Sequence, residues 1–132
     1  MSILLPSNIS AESAAKLKIK KIASEVIALF ELIKLDSNTH ASKADITSYT
    51  NAKVIGIAIE SAIIGQEFEI QLFGVVEDPS FLFTLGEPLF LQSLSGIGET
   101  APSASGQFIT NVGQSLGAGG IFIDIIDPVE II

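Results

Sequence analysis

The chain has few side chains that could do chemistry. His40 is the only histidine, and cysteine and arginine are both absent. A zinc site on His40 would need carboxylates or carbonyls at its other positions. Its polar surroundings predict an exposed histidine instead. Glu77 with Asp78, and Asp124 with Asp127, have the composition of acid–base dyads. Each pair flanks a proline, Pro79 or Pro128, and neither has a histidine nearby in sequence. That setting predicts turn chemistry. The same carboxylates offer hard oxygen ligands to calcium, but no EF-hand spacing is present. Gly117-Ala118-Gly119-Gly120 precedes a β-like run, and no Lys-Ser/Thr follows it. A phosphate loop needs its glycines to open a helix, so this stretch reads as a turn. There is no Gly-x-Ser-x-Gly elbow. No catalytic residue, cofactor site or metal site is expected, and the chain reads as a non-enzyme.

Three groups of residues could bind a partner. Lys16, Lys18, Lys20 and Lys21 form a cluster that could meet an acidic surface or serve as a solvated lysine face. Phe81 and Phe83 flank Leu82 after Pro79, and could form an exposed apolar patch or pack in the core. Ile3, Leu4 and Leu5 form an apolar tip near the start of the sequence. Residues 1–13 also hold Pro6, Ser7, Asn8 and Ser10, which break any regular pattern. They are expected to form an extended arm whose tip docks on a neighbour, with fraying as the bland alternative.

Charge narrows the partners. All seven basic residues are lysines at or before Lys53, and the net charge is −8. Residues 54–132 contain ten acids and no base. An acidic body repels nucleic acid, and without arginine there is no guanidinium to grip phosphate or guanine bidentately. Nucleic acid is not an expected partner.

The mean hydropathy of +0.55 and the 48% hydrophobic content are high for a soluble monomer. The longest charge-free stretch, residues 100–123, is interrupted by five glycines and several Ser, Gln and Asn residues. A spanning helix needs about 20 mostly apolar residues, so no membrane partner is expected. The first ten residues lack a basic n-region, and no secretory leader is expected. Burial against other subunits is the favoured explanation for the apolar excess.

The elements that must position these residues are mostly strands. All eleven glycines lie at or after Gly56, and they punctuate short β-like runs. Residues 54–59 are rich in β-branched side chains. Residues 67–73 alternate, with Phe68, Ile70 and Leu72 on one face and Glu67, Glu69 and Gln71 on the other. Gly74-Val75-Val76 extends that strand. Further strands are expected at residues 89–91, 108–112 and 121–125, with a Gly/Ser/Pro-rich excursion at 92–106. Residues 39–53 read as a loop with short extended pieces. Residues 14–35 are ambiguous. Ile19, Ile22, Ala23, Val26, Phe30 and Ile33 fit a helical stripe, while residues 16–20 alternate strictly. The nearly continuous apolar run from 26 to 35 suits a strand covered on both faces. Short strands at this spacing predict a mainly β fold, a compact antiparallel β-barrel or β-sandwich. The expected organisation is an arm over residues 1–13 and a single β-rich domain over 14–132.

Several units carry a family resemblance. They are Val54-Ile55-Gly56-Ile57-Ala58, Leu85-Gly86-Glu87-Pro88-Leu89-Phe90-Leu91, Gly96-Ile97-Gly98-Glu99-Thr100-Ala101-Pro102 and Asn111-Val112-Gly113-Gln114-Ser115-Leu116. A final Ile-Phe-Ile-Asp-Ile run follows them. In this order they resemble small β-rich proteins of tailed-bacteriophage virions, especially capsid decoration, or cement, proteins. Phe90 stands where tyrosine is common in such units. The resemblance covers residues 53–132. It implies a capsid-surface protein made in the bacterial cytoplasm, a homotrimer bound to the major capsid protein, with no cofactor. It also favours strands near 16–22 and 26–35 over the helix. The alternative is a tail-fibre or baseplate module that recognises a host glycan or protein, with Phe81 and Phe83 as its contact patch.

Overall fold

The computed structural model describes residues 16–132. Ile3, Leu4, Leu5 and the boundary between residues 13 and 14 lie outside this range. The fold is mainly β, so the strands expected of residues 14–35 prevail over the helix. Strand β1 is Leu17–Ala23, β2 Leu32–Leu35, β3 His40–Lys43, β4 Gly56–Ala58 and β5 Glu67–Glu77. They are followed by β6 Pro88–Leu91, β7 Ile97–Gly98, β8 Phe108–Ile109, β9 Asn111–Ser115, β10 Gly120–Asp124 and β11 Val129–Glu130. Among the described residues one short helix, α1, spans Tyr49–Ala52, with the Ser48 side chain accepting from the Asn51 amide at its start.

The main sheet runs β1-β3-β2-β4-β5-β10-β9-β6-β7, and β1 also pairs with β5. The pairings of β1, β3, β2, β4 and β5 therefore close a cycle, while β7 is the edge among the described strands. The sheet as a whole is not one closed barrel. Nor is it purely antiparallel, because β1 and β3 run parallel through Ile22↔His40 and Ala23↔Ala41. A second sheet joins β8 and β11.

Two apolar clusters explain the sequence pattern. The smaller contains Ala23, Ile33, Ala41, Ala58, Phe68 and Ile70, so every strand of the cycle contributes to it. The larger contains Leu32, Ile57, Val76, Phe81, Leu89, Val112, Ile121 and Ile123. Neighbours along a strand point to opposite faces. Leu32 and Ile33 thus enter different clusters, as do Ile57 and Ala58. The two-sided burial expected for the run after Val26 is found at β2.

Four local expectations are corrected. The strand expected over 26–35 is shortened to β2. Ahead of it, Ile27 makes an isolated bridge to Ala62, and Phe30 turns the chain at φ 68°. The loop with short extended pieces expected over 39–53 has one such piece in β3, where His40 starts the strand and stays exposed, but it also contains the helix α1. The strand expected over 108–112 divides into β8 and β9 around Thr110, whose hydroxyl donates to Ala52 O at 2.7 Å.

Gln71 is the fourth correction. Its assignment to the solvent face with Glu67 and Glu69 fails because it is only 3% exposed. It lies opposite Ile57, a member of the larger cluster, so this face of β5 starts in solvent and ends under the core. The burial phase then shifts, leaving Leu72 half-buried and Phe73 exposed. The register with β1 slips here, from Lys18↔Gln71 to Leu17↔Phe73. Two residues opposing one is the geometry of a β-bulge. Gln71 Nε2 donates to Phe73 O at 3.1 Å and to Val75 O at 3.0 Å, at and beyond the point where β1 ends.

Candidate partner interface

The lysine cluster is built on β1. Lys16 stands just before the strand and is half-buried. Lys18 and Lys20 share one strand face. Lys20 lies opposite Glu69, and Ile22 opposite Glu67. Lys18 Nζ reaches Glu69 Oε1 at 3.9 Å. Lys21 lies opposite buried Phe68 and leaves the core by donating from Nζ to Asn38 O at 2.6 Å. A long aliphatic stem that covers apolar surface while its ammonium reaches a polar partner is common lysine behaviour. The cluster is therefore a mixed-charge strip, because acids of β5 face the lysines.

The aromatic candidates separate. Phe81 is 6% exposed and belongs to the larger core cluster, so of the two readings open for it core packing holds and the exposed patch fails. Its ring packs on Phe30 with centroids 4.8 Å apart and on Phe83 at 6.4 Å. Phe83 is half-buried against the same cluster. Of this segment, Leu82 and Leu85 are the exposed apolar side chains.

An apolar surface forms instead on the outside of the second half of the sheet. Residues directly paired across strands point to the same face. Val75, Phe122, Gln114 and Pro88 make one such row across β5, β10, β9 and β6. Phe73 and Asp124 share the neighbouring row. The opposite face carries Val76, Ile121, Ile123 and Leu89 into the larger cluster. Phe73 meets Phe122 edge-on at 5.2 Å, and Leu17, paired with Phe73, is exposed. Beside them lies an open groove of about 310 Å³, lined by Pro88, Asn111, Gln114, Phe122, Asp124 and Ile126 among others. Its floor passes Gly113, where an added Cβ would sit 1.8 Å from Phe122 O, at φ +154°. Only glycine fits there. Large apolar residues at both parities of β10, Phe122 beside Ile121 and Ile123, were the available sequence signal for a two-faced strand.

The acidic pairs do not assemble into dyads. Asp78 accepts from the Ser80 hydroxyl and, at 2.9 Å, from the Ser80 amide. These bonds hold its carboxyl below the usual value. Asp124 is exposed on β10. Asp127 meets Lys53 Nζ at 2.8 Å. The hydrogen bond that Lys53 donates to Asp127 raises the Lys53 pKa, and the ammonium also lies 5.5 Å from the Tyr49 ring centroid. Among the described residues no group of three or more His, Asp or Glu could hold a metal ion. No helix among them is long and apolar enough to cross a membrane.

A larger depression of about 700 Å³ lies among Glu25, Glu31, Lys43, Asp45 and Ser95. Its polar groups satisfy one another. Ser95 Oγ donates to Glu31 Oε2 at 2.7 Å, and Lys43 approaches Glu25 through both its amide and Nζ. Burial pulls the Asp45 carboxyl upward, but bonds from Thr47 and Asn51 outweigh it and leave the pKa lowered.

These observations define a β-rich protein on whose outer face Phe73, Phe122, Pro88 and Ile126 lie among Gln114 and Asp124, and whose Asp78 and Asp127 carboxylates are held in a turn and an ion pair. A solved structure shares the fold: the head fiber gp8.5 N base in bacteriophage phi29. The match has a TM-score of 0.51 at 10% identity, and covers 85% of this chain and 95% of that one. At that identity the likeness is one of fold. No family model matches the chain, and no curated protein matches it.

Proposed function

We propose that the protein is a structural component of a tailed-phage virion. In this reading it attaches to the outer surface of the head by binding the major capsid protein, and it stabilises the lattice as a decoration protein. The carrying observation is the fold shared with the phi29 head fiber base over nearly the whole of both chains. The strand-and-turn units that resemble decoration proteins lie in the same β region. The proposed organisation is one β-rich domain over residues 14–132 with an arm over 1–13, acting as a homotrimer made in the bacterial cytoplasm. The lysine strip of β1 and the exposed Leu82 region are the proposed capsid contacts, with Phe83 bracing the latter from below.

The tail-fibre or baseplate reading depended on Phe81 and Phe83 as an exposed platform. Phe81 is buried, so that reading has lost its chosen anchor.

Immunogold labelling of virions from the genome that encodes this chain tests the proposal. Label on heads, together with co-sedimentation of purified protein with heads lacking it, is the expected result. Label confined to tails would overturn the capsid assignment.

A further inference from the structure

We propose that the groove beside Phe122 is the docking site of the chain's own apolar segment, Ile3-Leu4-Leu5. The inference goes beyond the virion reading and does not depend on it. It rests on where the described chain begins and on what lies there.

Leu17, the first residue of β1, pairs with Phe73. Phe73 in turn touches Phe122, and Phe122 lines the groove. The polypeptide thus enters the fold at the rim of an apolar surface that no described element covers. Because β1 is antiparallel to β5, a chain traced backwards from Leu17 heads past Phe73 towards the Val75, Phe122, Gln114 and Pro88 row. Crossing from β5 to β6 takes three strand spacings of about 4.8 Å each, or roughly 14 Å. The residues between Leu5 and Leu17 reach up to about 40 Å at roughly 3.3 Å per residue. The span is therefore well within the reach of that length of chain.

The chemistry also matches. Ile3-Leu4-Leu5 is the longest apolar run ahead of β1. Phe122, Ile126 and Pro88 give it apolar walls. Asn111 Oδ1 accepts from the Gly113 amide and Gln114 Nε2 donates to Gly86 O, which fixes these two side chains along the groove beside the exposed Asp124. A volume of about 310 Å³ is at the small end of the range for sites that enclose a ligand, which suits a few aliphatic side chains. A tethered segment also has a concentration advantage over a free one.

The absence of cysteine makes a clean test possible. The full chain is prepared as Leu4→Cys/Gln114→Cys and, as a second groove pair, Leu4→Cys/Ile126→Cys. The control is Leu4→Cys/Ser37→Cys, with its second site on the exposed turn between β2 and β3. Oxidation is followed on non-reducing gels. The expected result is an intrachain disulfide that forms at least about tenfold faster in both groove pairs than in the control. Disulfide-linked dimers from the groove pairs would overturn same-chain docking and give the groove to the segment of a second copy. Rates equal to the control would overturn docking altogether. Hydrogen exchange gives an independent reading. In a chain with Ile3, Leu4 and Leu5 each changed to Ser, amides at Gly113 and Gln114 should exchange faster. Unchanged exchange would also overturn the proposal.

Discussion

At the scale of single residues, Gln71 carries an unusual share of the architecture. Its amide serves two carbonyls of its own strand, Phe73 O and Val75 O, where the neighbouring strand has ended. A buried polar group left without a partner costs about 1–3 kcal/mol. Gln71→Leu removes both bonds from a buried site, and a loss of roughly that size is expected in urea unfolding. Asp36 gives a pH prediction. Burial raises its carboxyl pKa, but bonds from Lys34, Ser24 and Ser42 together outweigh that effect and leave it below the usual value. The group therefore stabilises the fold above its unfolded pKa, and this contribution is lost as pH falls through the lower folded value. Thermal melts of wild type and Asp36→Asn should differ at neutral pH and converge under strong acid. Because the carboxylate is partly solvated, the gap should not exceed about 1 kcal/mol.

At the scale of elements, β2 separates two cores that sequence proximity would merge. Leu32 and Ile33 are both fully buried but belong to different clusters. Leu32→Ala and Ile33→Ala should each cost about 2–5 kcal/mol. Since their side chains face opposite ways, the double variant should lose the sum within about 0.5 kcal/mol. A larger coupling in denaturant titrations would show that the two cores act as one. The same strand shows how far the sequence could be read. An unbroken apolar run identified two-sided burial without specifying where the strand began, because Ile27 and Phe30 are equally apolar but lie in a bridge and a turn. The alternation of β5 was legible up to Ile70. It failed at Gln71 because the larger cluster covers that face, a tertiary fact that local periodicity does not carry. For the candidate interface, the lysine strip could be located from sequence, but the acids that answer it come from β5. Phe81 could be read as core or as surface, because its partner Phe30 is distant in sequence. The groove was not legible at all, since it is assembled from β6, β9, β10 and the segment after β10.

At the scale of the molecule, exposed large apolar side chains occur at Leu17, Ile63, Ile64, Leu82, Leu85, Leu94 and Ile126. Exposed apolar atoms are ordinary, whereas a continuous patch marks an interface. Light scattering behind size exclusion should give a mass near three times 13.9 kDa if the trimer proposed above forms on its own. A single-chain mass at every concentration would confine assembly to the capsid surface. The closed cycle of pairings has a further consequence, for synthesis on the ribosome. Strand β1 is made first, but its long antiparallel partner β5 emerges only after Glu67 has been added. At about 5–20 residues per second, the young strand waits several seconds for that mate. During the delay its Leu17–Lys21 stretch, which β3 does not pair, is an open edge, the kind of surface on which nascent chains stick to one another. Lysines on an edge discourage such encounters, so Lys18 and Lys20 guard the growing polypeptide before Glu69, which later answers both, has been made.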